Sequence, residues 1–181
     1  MKKRKMFFAL AVPVMSLGIF ANMGIESAHA YKLLSTEVAK KISPAKDAYY
    51  WIDPAFLDYS GKTTEVKESV LRWNSTPEIQ FTKKATTPGG ADIKIEYLNS
   101  YSGDTYGRYV SGSAGSIIIY KAWRDLNEKQ ERETIVHEVG HALGLAHTQS
   151  ENNSISVMRQ YGFNNKDYPL SDDKAGIAKR Y

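Results

Sequence analysis

The residues with the clearest capacity for chemistry lie in one stretch of eleven, His137-Glu138-Val139-Gly140-His141-Ala142-Leu143-Gly144-Leu145-Ala146-His147. His137 and His141 are four apart, so on an α-helix their imidazoles share one face, one turn above the other. That arrangement suits two ligands of one tetrahedral zinc ion. Gly144 follows the second histidine by three residues and lets the helix stop and the chain turn through a left-handed conformation. The turn can return His147 to the same ion as a third nitrogen ligand. Three histidines with a fourth position left open describe a catalytic zinc site rather than a closed structural one. Glu138, next to the first ligand, is placed to reach a water in the open position. The alternative is three histidines satisfied separately in the core or on the surface. Against it, the chain has four histidines, and the fourth, His29, lies far from this stretch.

The element that must carry the pair is the longest helical pattern in the chain, Asn127–Leu143, whose apolar side is Ile135, Val136, Val139, Ala142 and Leu143. Upstream, Leu34, Val38 and Ile42 followed by Pro44 read as a weak helix or an arm over 31–47. Ala48–Ile52 reads as a strand ending at an Asp53-Pro54 turn. Thr63–Asn74 reads as a helix. Ile79–Thr82 and Ala91–Leu98 alternate like strands. Tyr106–Val110 lies between Gly-rich turns, and Ser116–Tyr120 reads as a strand buried on both faces. A closing helix is expected over Ser171–Lys179, with Ser171 as its N-cap and Asp172 and Asp173 in its first turn. This order predicts an α+β domain, a mixed sheet with helices against it.

The first thirty of the 181 residues form a separate segment. Lys2, Lys3, Arg4 and Lys5 precede an apolar run of about 20 residues, Met6–Ile25. Ala28 and Ala30 then supply an Ala-x-Ala exit, the pattern of a secretory signal peptide cleaved after Ala30. Pro13, Gly18, Asn22 and Gly24 make the run a poor permanent anchor, so no lasting membrane association is expected. Four Lys/Arg and one acid leave with this segment, so residues 31–181 keep 20 Lys/Arg against 19 Asp/Glu. That near-neutral body gives no electrostatic reason to propose a nucleic-acid partner. The chain has no cysteine, which removes thiolate catalysis and thiolate metal ligation. Export without disulfides suits a bacterial cell. The expectation is a secreted, extracellular protein whose 151-residue body forms one domain, most simply a monomer.

His-Glu-x-x-His-x-x-Gly-x-x-His is the long zinc signature of the metzincin proteases, and the chain resembles that family. Thr148, directly after the third histidine, is typical of the matrixin branch. Ser156-Val157-Met158 looks like the family's Met-turn, which implies Met158 as an apolar floor beneath the metal. Val66–Thr82, Ala91–Ile95 and Pro169–Tyr181 are similar to a first helix and strand, a third strand and the closing helix of matrixins. The resemblance implies a zincin-type catalytic domain over 48–181, with 31–47 an N-terminal arm or a short pro-segment. It implies a zinc-dependent endopeptidase acting on protein or peptide substrates, with Glu138 as the base that accepts a proton from water. It also implies a structural calcium ion. Asp92 matches an acidic position that binds calcium there, and capping a strand end is the other reading of Asp92.

The departures are specific. Without cysteine, the latency in which a propeptide thiolate blocks zinc is impossible, and no histidines are left for a second, structural zinc. Arg159-Gln160-Tyr161-Gly162-Phe163 replaces the usual Tyr-Pro-x-Tyr after the Met-turn. Tyr161 could line the specificity pocket, stabilise the transition state or simply pack as an aromatic. The segment Asp104–Ser111 is the expected sheet edge for pairing with an extended substrate. The alternative function is a catalytically silent zinc-binding secreted protein on the same fold, which would have no need of Glu138.

Overall fold

Alternation places the sheet's core. Ala48, Tyr50 and Ile52 of β1 (Ala48–Ile52) are buried while the residues between them are half-buried. Ile93, Ile95 and Tyr97 repeat the pattern in β3 (Ile93–Leu98), as do Ile117 and Ile119 in β5 (Ser116–Tyr120). Such period-two burial means that one face of the sheet carries the main core. The computed structural model describes residues 31–181, so the signal peptide expected over 1–30 lies outside the described residues.

The remaining elements are α1 (Lys62–Leu71), β2 (Phe81–Lys84), β4 (Gly107–Tyr109), α2 (Glu128–Ala142) and α3 (Ser171–Arg180). The sheet has five strands in the order β2-β1-β3-β5-β4. β1 is parallel to β2 and β3, and β3 is parallel to β5. β4 alone runs antiparallel, in register Gly107↔Ile119, Arg108↔Ile118 and Tyr109↔Ile117. The sheet is therefore mixed, as expected, and β4 is an open edge within the Asp104–Ser111 segment. The other edge, β2, exposes Thr82, Lys83 and Lys84; lysines on an edge discourage pairing with another chain.

Two indoles lock α2 into the core. Trp73 donates its ring N–H to the Val136 carbonyl at 3.1 Å, and Trp123 donates to the Glu131 carbonyl at 2.8 Å. Both rings are fully buried, so these bonds satisfy polar atoms that would otherwise be costly in the interior. Lys62 pairs with the buried Glu131 at 2.5 Å and fastens the start of α1 to α2.

Four expectations need correction. Ser116–Tyr120 is not buried on both faces: Ile118 is half-buried, because the helices cover one side of the sheet. The strand expected at Ile79–Thr82 begins at Phe81, and the fully buried Ile79 packs in the turn before it. The helix read over 63–74 is α-helical only to Leu71 and tightens into a 3-10 turn over Arg72–Ser75. Ser171 opens α3 from inside rather than capping it; Leu170 is the cap residue, and Asp173 reaches back to accept its N–H at 2.8 Å.

Candidate metal centre

α2 begins where the Asn127 side chain accepts the Gln130 N–H at 3.1 Å, capping an otherwise unpaired donor. Four turns later it ends as a Schellman motif: Gly144 N–H bonds to the His141 carbonyl and Leu145 N–H to the Gly140 carbonyl, each at 2.9 Å. The motif needs a left-handed residue, and Gly144 has φ of 98°. A side chain there would also overlap Arg180. This turn carries His147 back over the helix.

The three rings meet. Their ligand atoms lie within 4.8 Å of one another, and no other group of three or more His, Asp or Glu side chains with this property occurs among the described residues. His141 Nε2 and His147 Nε2 are 3.2 Å apart. Zinc–nitrogen bonds of about 2.0–2.1 Å at a tetrahedral angle require roughly 3.3 Å between ligand atoms. The second ring nitrogens fix the orientation. His137 Nδ1 lies 2.8 Å from the Val157 carbonyl and His141 Nδ1 lies 2.7 Å from the Leu145 carbonyl. A carbonyl only accepts, so both Nδ1 atoms carry the proton and both Nε2 lone pairs face the common point. Burial pushes His137 and His141 down to about 4 and lowers His147 as well. The rings are neutral at pH 7, the state in which imidazole binds a metal. The donor set fits zinc.

Glu138 lies beside this point, 8% exposed, with Oε2 accepting the Tyr109 N–H at 2.7 Å. Burial raises its pKa, and the nearby His141 and the Tyr109 bond oppose the rise. Met158 is buried against α2 so closely that a methyl group on Gly140 would overlap its sulfur. Its turn is held from α3: Asp173 accepts from Ser156 Oγ at 2.5 Å and from Val157 N–H at 2.9 Å. Asp92 stands apart from the histidines. Its Oδ2 accepts the Tyr49 N–H at 2.8 Å, bridging the starts of β1 and β3. Tyr161 is 78% exposed and is no packed aromatic; it lines the cleft.

The cleft has two lobes that share Gly107, His137, Glu138 and Gln160. One, about 290 Å³, runs between Tyr106, Val157, Tyr161 and Phe163, with Glu133 and Thr134 at its inner end. The other, about 480 Å³, is bounded by His141, His147, Tyr109, Leu34 and Val38. Sequence reasoning missed Glu133, Leu34 and Val38. Glu133 is one helical turn before His137 on the same face, a signal that was available; its carboxylate accepts the Asn164 N–H at 2.8 Å and the Lys166 N–H at 3.2 Å. Nothing local marks Leu34 or Val38 as cleft residues.

The chain is similar to known proteins over part of its sequence and over most of its fold. The matrixin family model matches residues 120–181, the part that holds α2, the three histidines, Met158 and α3. The solved structure of myroilysin superposes with a TM-score of 0.53 at 16% identity, covering 80% of this chain and 97% of that one. No curated protein sequence matches. The myroilysin likeness, at 80% of this chain, extends the shared fold well beyond the matched segment. Residues 120–181 are thus matrixin-like, and the fold as a whole is the α+β arrangement shared with myroilysin.

Proposed function

We propose that this chain is a secreted zinc-dependent endopeptidase that hydrolyses peptide bonds, with Glu138 as its general base. The observation that carries the reading is the convergence of His137, His141 and His147 with the buried carboxyl of Glu138 beside them in an open cleft.

Zinc held by the three Nε2 atoms would supply Lewis acidity, polarising a peptide carbonyl and acidifying water from about 15.7 towards about 7. The residues of the chain do the rest. The three neutral imidazoles would hold the ion, with the Val157 and Leu145 carbonyls setting the ring planes of His137 and His141. Tyr109 N–H occupies Glu138 Oε2, so Oε1 is the atom that takes the proton from the attacking water and delivers it to the departing amine. Burial raises the pKa of Glu138, and a carboxyl raised towards working pH can both accept and release a proton. The substrate lies extended along the open edge of β4, pairing through main-chain groups.

Export follows from the leader-like residues 1–30, with cleavage after Ala30; N-terminal sequencing of protein from culture medium checks it. No helix among the described residues is long and apolar enough to cross a membrane.

The test is cleavage of an unfolded protein or peptide library by wild type and by Glu138→Ala, with and without a chelator. Wild type is expected to cut, chelator and Glu138→Ala to abolish cutting, and the variant to keep its zinc. Two zinc-loaded proteins that both fail to cut would leave the silent zinc-binding reading in place.

A further inference from the structure

Residues 31–47 are the part of the chain whose role the sequence left open, and the first half of the segment borders the cleft through Leu34 and Val38. Leu34 N–H donates to the Gly144 carbonyl and Ala146 N–H to the Lys32 carbonyl, each at 2.8 Å. These bonds bracket an antiparallel bridge between Leu33 and Leu145, so the arm pairs directly with the turn that delivers His147. A few residues on, the Val38 carbonyl accepts the Tyr109 hydroxyl at 2.9 Å and the Gly112 N–H at 2.8 Å. The arm thus spans from the third-ligand turn to the end of β4, two elements that line the larger lobe of the cleft.

Its anchoring is extensive. The Arg180 guanidinium of α3 donates to the Leu34 carbonyl at 3.0 Å and to the Ala39 carbonyl at 2.5 Å. Ala39 is fully buried and Ile42 is part of the main core. Leu34 and Val38 are half-buried and line the larger lobe beside His141 and His147. Two branched aliphatic side chains, held by main-chain bonds on both flanks, form a preformed apolar wall.

Building on the endopeptidase reading, we propose that residues 32–39 are a permanent side wall of the substrate cleft and that Leu34 and Val38 select an apolar substrate side chain on one side of the scissile bond. The arm does not block the lobe it borders, which keeps about 480 Å³ of free volume. It is therefore a wall and not a removable plug.

The test is cleavage-site mapping on a peptide library with wild type, Leu34→Ser and Val38→Phe, measuring zinc content and melting temperature for each. The wild type should favour an apolar residue at one position adjoining the cut. Leu34→Ser should weaken that preference by roughly tenfold in kcat/KM. Val38→Phe should shift the preference to smaller side chains, and preferences on the other side of the cut should stay unchanged. Val38→Phe reads the same lobe should Leu34→Ser fold poorly. Unchanged profiles in folded, zinc-loaded variants would overturn the proposal, as would an active enzyme whose intact mass shows that it begins after Ala39. A wild type that holds zinc but cuts nothing would instead remove the endopeptidase reading, and this inference with it.

Discussion

Glu138 Oε2 accepts the main-chain N–H of Tyr109 at 2.7 Å, so the carboxyl expected to move protons is tied to the sheet edge expected to hold substrate. The bond crosses from α2 to β4 over twenty-nine positions of sequence. Tyr109 is itself fixed, through its hydroxyl, to Val38 of the N-terminal arm. Base, edge strand and arm therefore form one connected wall of the cleft, and displacement of any of them should be felt at the others.

Glu138→Gln tests the base while sparing the scaffold. The amide oxygen can still accept from Tyr109, so the fold and the metal stoichiometry should hold. Loss of the proton acceptor should lower kcat by about 10²–10⁴-fold. Steady-state kinetics beside metal analysis check this; a variant that keeps more than a tenth of wild-type kcat would assign the proton to another group.

Gly140→Ala tests the floor of the site. A methyl group there would overlap the Met158 sulfur and lie 3.0 Å from the Trp73 ring. Both neighbours are buried and have little room to yield. Overpacking of this kind costs about 1–3 kcal/mol, to be read as a lower denaturant midpoint with an unchanged slope. Wild-type stability in the variant would mean that Met158 is more loosely packed than its burial implies.

Glu133→Ala tests the smaller lobe. The carboxylate of Glu133 holds the main chain at Asn164 and Lys166, just after the Tyr161 and Phe163 that line that lobe. Removing it leaves the Asn164 amide without its acceptor, while Lys166 N–H keeps Asn164 Oδ1 at 2.9 Å; the loss costs about 1–3 kcal/mol where water does not replace the carboxylate. The variant should lose stability and show a blurred side-chain preference at the position served by this lobe. Zinc content should stay at one per chain. A sharp, wild-type preference would show that the loop is held by other means.

The pH dependence has one clear contributor in Asp173. Burial pushes its carboxyl up to about 6 from an ordinary 3.8, against the hydrogen bonds from Ser156, Val157 and Leu170. The folded value lies above the unfolded one, so the folded chain binds this proton more tightly. The resulting stability is fully present below about 3.8 and is lost as pH rises through about 6. In zinc-saturated protein, wild-type stability relative to Asp173→Asn should therefore fall between pH 4 and 6, by on the order of 2–3 kcal/mol. Denaturant melts at several pH values give the comparison, and parallel curves would contradict it.

The parts of the molecule that were legible in the sequence are those set by local spacing. The four-residue step from His137 to His141 and the glycine at 144 specify a helix, a stop and a return without reference to anything else. Alternation located β3, the run ending at the Asp53-Pro54 turn located β1, the apolar run Ser116–Tyr120 located β5, and Asn127 marked the start of α2. What escaped depends on partners far along the chain. Leu34 looks like any aliphatic residue until its amide is seen on Gly144, and Arg180 like any surface arginine until it holds Leu34 and Ala39 from more than 140 positions away. Ser171 was a sound cap by residue type, yet Asp173 reached the Leu170 amide first, because its carboxylate also serves the Met158 turn.

The most direct test is a crystal structure of the zinc-loaded protein with anomalous scattering recorded across the zinc edge. One ion is expected about 2.0–2.1 Å from Nε2 of His137, His141 and His147, with Glu138 unligated and still within reach of Tyr109 N–H. An imidazole turned away from the ion, or Glu138 bound as its fourth ligand, would contradict the account.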